Sequence, residues 1–226
     1  MSSPPQRPSV TAEKQIGGGI GADRELALLH TPGQVRAAFA ALWALDSAMG
    51  DVVARSTEPA LGAVKLAWWR EALEALDRAS PPAEPRLQQV AAELLPRGIS
   101  GARLAEIEVG WAALLQPEID SAAVAARGAV LFSIGADLLG GSDDKLSDAG
   151  ALYALASVAR RGVPELFDPA RNYLQQIRGH RFARRLRPLT MLARAAARDL
   201  ARQEPEGSAG RAAAMLAHRW SGRIRA

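Results

Sequence analysis

Apolar residues recur every three to four positions along almost the whole chain, and this spacing predicts helix after helix. Asp23 caps a short helix that runs to His30, and Thr31-Pro32-Gly33 turns into a long one. There Val35, Phe39, Leu42, Asp46, Met49 and Val53 fall on a single face. That helix ends near Arg55. Ser56-Thr57-Glu58-Pro59 then gives a start signal with proline in the first turn, opening a helix through Lys65, Trp68, Trp69 and Arg70 to about Ala79. Further helices are expected over 84–95, from Ser100 through Leu104, Ile107, Trp111 and Leu115, over 121–139, and from Gly150 to the stop at Gly162-Val163-Pro164. The last clear pair covers 188–203 and 209–223. No stretch alternates as a strand does, and no repeat is visible. The class is all-α, a single-domain multi-helix bundle.

Two features interrupt the apolar pattern. Asp46 is a carboxylate inside an apolar stripe, where it is costly unless paired, and Lys65 or Arg70 on the next helix is the expected partner. Trp68 and Trp69 point about 100° apart on a helix, so one is expected in the core and the other along a groove.

Composition narrows the chemistry. The 226 residues, 48% hydrophobic, suffice for one sizeable core. Absence of cysteine excludes disulfides, thiolate nucleophiles and cysteine-bound zinc. His30, His180 and His218 have no ligand spacing and read as structural or exposed. Residues 1–22, rich in Ser, Pro and Gly, read as a disordered lead-in without the apolar core of a secretory signal. The domain proper is expected over 23–204, and 205–226 as a basic amphipathic C-terminal helix. The apolar runs 37–54 and 122–139 carry Asp46 with Asp51 and Arg127 with Asp137, so neither is an uncharged membrane span.

Charge is lopsided. Residues 160–226 hold fifteen arginines against five acids, while the remainder is net acidic. Ala212, Leu216, Trp220 and Ile224 form an i, i+4 row with arginines around it, a profile suited to an anionic membrane surface or to packing on its own domain. No nucleic-acid-binding motif accompanies the charge, and no nucleic-acid partner is expected.

Ala41-Leu42-Trp43-Ala44-Leu45 followed by Gly50-Asp51-Val52-Val53-Ala54 resembles the first signature of the squalene/phytoene synthase family, "ALYAF" and then an aspartate-rich "DDxVD". Lys65-Leu66-Ala67-Trp68-Trp69-Arg70-Glu71 resembles the "RLxWWRxE" element that follows it. Glu58, Gly62, Lys65 and the Trp68-Trp69 pair are also similar to the mitochondrial complex I assembly-factor branch of that superfamily. The resemblance implies a shortened isoprenoid-synthase bundle and head-to-head prenyl transfer, in which aspartates hold Mg²⁺ against an isoprenyl diphosphate.

The aspartates themselves depart from the pattern. Those of the first motif become Gly50, Asp51 and Ala54, and Asp46 lies roughly 140° around the helix from Asp51. The best match to the second motif is Gly150 to Arg161, with Arg160 agreeing and Arg161 standing in place of the key aspartate. Asp144 and Asp148 have the spacing of a displaced metal pair, and equally that of acids at a helix start. The sequence therefore points to a non-catalytic relative that binds a lipid or a protein partner, with no cofactor. An active transferase is the alternative. It would use Asp51 and Asp46 with Mg²⁺, and the resemblance implies substrate contacts at Lys65, Trp68, Trp69, Arg70 and Arg160. A membrane adaptor acting through 207–226 is the third reading. The expected location is the cytoplasm, at most peripheral at the inner face of the membrane.

Overall fold

The computed structural model describes residues 20–225, and these form an all-helical bundle. In chain order the helices are α1 (Ala22–Leu29), α2 (Gly33–Arg55), α3 (Pro59–Ala75), α4 (Pro85–Glu93), α5 (Gly101–Ala105), α6 (Ile107–Ala112), α7 (Ser121–Leu138), α8 (Leu146–Ala159), α9 (Phe167–Ile177), α10 (Arg187–Asp199) and α11 (Ala209–Ser221). The lead-in expected over 1–22 falls outside the described residues up to 19, and Ala22 already belongs to α1.

Local chemistry sets the boundaries. Pro59 and Pro85 open α3 and α4 in the first turn, where a missing N–H costs nothing. Ser100, Asp120 and Ser208 cap α5, α7 and α11 by accepting backbone N–H groups. One helix expected from Ser100 through Leu115 is instead α5, α6 and a 3₁₀ turn, bent at Glu106. Helix α9 stands where the sequence reading placed none. Phe167, Ala170, Tyr173, Leu174 and Ile177 do recur at helical spacing, and Pro169 falls in the first turn where it is tolerated.

The core runs along α2, α7, α8 and α10. Helix α8 is buried nearly all round and lies between α7, α9 and α10. Its crossing with α7 is a backbone-to-backbone approach, because a Cβ on Gly128 would fall onto the carbonyl of Gly150, and one on Gly150 onto that of Gly128. Helices α2 and α7 are long and apolar enough to cross a membrane by length and composition. Asp46 and Arg127 sit on them and pair inside the bundle.

Candidate functional site

Asp46 is the centre of the structure's polar interior. It is 0% exposed, and each carboxylate oxygen is occupied. Oδ1 accepts from Arg127 Nη1 at 2.6 Å and from Trp111 Nε1 at 2.9 Å, while Oδ2 accepts from Arg24 Nη2. Arg24 reaches this point from α1, donating also to the Tyr153 hydroxyl at 2.6 Å and to Ser47 at 3.0 Å. The Arg127 guanidinium lies 3.9 Å from the centre of the Trp111 ring. Burial pushes the Asp46 carboxyl up, but the charges of Arg127 and Arg24 and the hydrogen bonds from Arg24 and Trp111 outweigh it, holding the group at about 2. It is a buried anion with three of its roughly four acceptor sites taken, and two guanidinium cations stand where a metal ion would have to approach.

The neighbouring Gly50 explains how Trp111 gets there. A Cβ at Gly50 would come within 2.8 Å of the indole ring, so the missing side chain is the space that the ring fills. The indole crosses one turn of α2 and donates to Asp46.

A second network ties α1 to α10 and α11. Arg211 of α11 donates to Asp23 through Nε at 2.9 Å and through Nη2, and to Asp199 through Nη1. Arg160 reaches Glu206 at 3.1 Å and Asp199 at 3.4 Å. Three carboxylates, Asp23, Asp199 and Glu206, therefore converge on one polar spot, but Arg24, Arg160, Arg161 and Arg211 line it with them. The space left is about 10 Å³, room for about one water. Interleaved in this way, the acids neutralise arginines and present no cation site.

The residues singled out from the sequence are dispersed. Asp51, Lys65 and Trp69 share one open groove of about 260 Å³ between α2 and α3, with Arg55 and Arg86. Asp51 pairs there with Arg55 at 3.4 Å. Trp69 is buried and also lines that groove, while Trp68 is 45% exposed, with the rings edge-on at 5.3 Å; the pair divides in burial, but the core and groove roles expected of two residues fall on one. Arg70 points to Glu108 at 3.8 Å, and Arg160 lies in the α1–α10 network. Neither Lys65 nor Arg70 is the partner of Asp46; helix α3 carries both away from it, and the cations come from α1 and α7.

Asp148 pairs with Lys145 at 3.3 Å at the start of α8. Asp144, Asp143 and His180 bring ligand atoms within 4.8 Å of one another, a group of the size that a divalent cation takes. Asp143 is engaged already, pairing with His180 at 2.9 Å and accepting the Lys145 N–H at 2.9 Å.

Arg24, Trp111, Arg127 and Tyr153 are the partners that the sequence reading missed. Arg127 carried a signal: a lone cation in the apolar run 122–139 needs a buried anion, and Asp46 was the unpaired one. Comparison with protein-family models, with characterised proteins and with solved structures finds no match to this chain.

Proposed function

We propose that this chain is a non-catalytic relative of the squalene/phytoene synthases, an isoprenoid-synthase-type bundle that acts by binding a lipid or protein partner at its surface. The observation that carries this reading is the state of Asp46, buried and already neutralised by Arg24 and Arg127, with Trp111 as a third donor. A carboxylate that serves Mg²⁺ must offer lone pairs to the ion, and a departing diphosphate needs several such charges fixed in place. Gly50, at the family's first aspartate position in our alignment, has its side-chain space filled by Trp111. Ala54 offers no ligand, and Arg161 puts a cation at the second motif. Asp51 remains alone in a shallow groove beside Lys65, Arg55 and Arg86. In this reading the working location is the cytoplasm, with peripheral contact at the inner membrane face.

The test is incubation of the full chain with farnesyl or geranylgeranyl diphosphate and Mg²⁺, following pyrophosphate release. No release above the protein-free rate is expected. Turnover that disappears in Asp51→Asn would overturn the proposal and establish the transferase reading.

A further inference from the structure

Helix α11 is built differently from a free amphipathic strap. Its inner face, Arg211, Ala214, Met215 and His218, is buried against the domain. After the helix, the chain pairs with residues 179–182, through the Gly179 N–H to Ile224, the Ile224 N–H to His180 and the Phe182 N–H to Gly222. Ile224 is buried by this return. The row expected from the sequence, Ala212, Leu216, Trp220 and Ile224, is therefore split. The outward face is Ala213, Leu216, Ala217 and Trp220, at i, i+3, i+4 and i+7. Trp220 is 81% exposed, an unusual state for the largest apolar side chain. Leu29, at the end of α1 beside α11, is 72% exposed.

Next to this apolar ridge lies an open groove of about 860 Å³, lined by His30, Arg181, Arg184, Arg187, Leu216, Arg219 and Trp220. Four arginines line it and no carboxylate does. Arg187 is spent on structure, donating to the Phe182 carbonyl at 3.2 Å and to the Trp220 carbonyl at 2.6 Å. Burial, then the charges of Arg181, Arg219 and Arg184, hold it below the ordinary arginine value, so these cations repel one another without a counter-anion among them. The ion pairs of the same helices, Arg211 with Asp23 and Arg198 with Glu204, involve none of the four.

Uncompensated guanidiniums want phosphate, and an exposed tryptophan beside leucine wants the boundary between headgroups and acyl chains. We propose that this face of α11 and the adjoining 181–187 segment dock on the phosphate headgroups of an anionic lipid bilayer, with Trp220 and Leu216 entering the interfacial layer. The pairing with 179–182 and the buried Arg211 hold the face ready-made, so binding requires no folding. The inference deepens the reading above, resting on it only in taking the surface as the working part. The pyrophosphate assay and the membrane assay fail independently.

Sedimentation of the full chain with phosphatidylcholine vesicles containing phosphatidylglycerol, against pure phosphatidylcholine, tests it. Binding to the anionic vesicles alone is expected. Arg181→Gln/Arg184→Gln/Arg219→Gln should weaken it roughly tenfold or more, at about one interfacial charge contact per arginine. Trp220→Ser should weaken it with an unchanged salt dependence. Unaltered melting temperatures establish that these surface variants fold. A charge-matched control, Arg55→Gln/Arg78→Gln/Arg86→Gln, should bind as the parent does. Equal loss in the control would reduce the effect to net charge and overturn the site. So would equal binding to both vesicle types, or full displacement by free inorganic pyrophosphate, which would make the groove a soluble-phosphate site. Vesicle-independent dimerisation abolished by Trp220→Ser would assign the ridge to a second copy and overturn the proposal as well.

Discussion

Asp46 and Arg127, 81 residues apart in sequence, meet at 2.6 Å where neither is exposed to solvent by more than 1%. Their pairing joins α2 to α7, and Arg24 adds α1 to the same anion. A buried charge with its partner removed is worse than no charge at all, because the survivor has lost water and gained nothing.

Asp46→Asn should therefore unfold at lower denaturant, with a loss of about 3–5 kcal/mol, since two buried guanidiniums lose their shared anion. The double variant Asp46→Asn/Arg127→Met should lose less than the two single variants added together. Urea titrations of the parent, both singles and the double give the coupling. Strict additivity would show that the pair does not interact.

Gly50 gives a second, local test. Gly50→Ala puts a methyl within 2.8 Å of the Trp111 ring and should cost about 1–3 kcal/mol by overpacking. Gly50→Asp should cost more, because it adds a second carboxylate close to Asp46. In Trp111→Ala the alanine substitution at Gly50 should lose most of its penalty. Melting curves of the variants decide this.

At the α7–α8 crossing, Gly128→Ala or Gly150→Ala drives a methyl onto a backbone carbonyl that cannot rotate away. Either should cost at least about 2 kcal/mol, read in the urea midpoint. Gly33→Ala, whose Cβ meets nothing within 4 Å, serves as the tolerated control and should change stability little.

His218 makes stability fall on acidification. Its ring is buried, meeting Thr190 Oγ1 through Nε2 at 2.8 Å and the Arg223 carbonyl through Nδ1 at 3.1 Å. Burial lowers it to about 4 from 6.5, against the opposing Arg223 carbonyl and with the help of the Arg194 and Arg187 charges. Between those two values the unfolded chain holds a proton that the folded one refuses. Stability should be level above 6.5 and fall by up to about 3 kcal/mol as the pH drops from there to 4. Asp46 acts lower on the scale: its contribution is present above 3.8 and is lost as the pH falls through about 2. Denaturation at a series of pH values should show the first slope shrink in His218→Gln.

The helices were legible because their evidence is local. Proline and glycine stops, capping side chains and three-to-four spacing predict nine helices, eight of which overlap single observed ones, while the ninth is divided into α5, α6 and a 3₁₀ turn. Helix α9 shows the weakness of that reading: it begins soon after the stop at Gly162-Val163-Pro164, carries Pro169 in its first turn, and spans only eleven residues. The difference in burial between Trp68 and Trp69 follows from the 100° step between neighbours. The partners of Asp46 did not follow, because sequence spacing ranks the adjacent helix α3 first. Arg24 and Arg127 arrive through the tertiary arrangement of α1 and α7. For α11, the sequence held the apolar row but not which residues face outward, since the chain beyond it folds back and takes Ile224 into the core.

In the proposed reading neither Asp46, neutralised by buried arginines, nor Asp51, in its open groove beside Arg55, serves a diphosphate. Pyrophosphate release from geranylgeranyl diphosphate with Mg²⁺, compared between the parent and Asp51→Asn, measures this most directly. We predict the same background rate for both. Multiple turnovers by the parent, lost in the variant while its melting temperature is unchanged, would contradict the account.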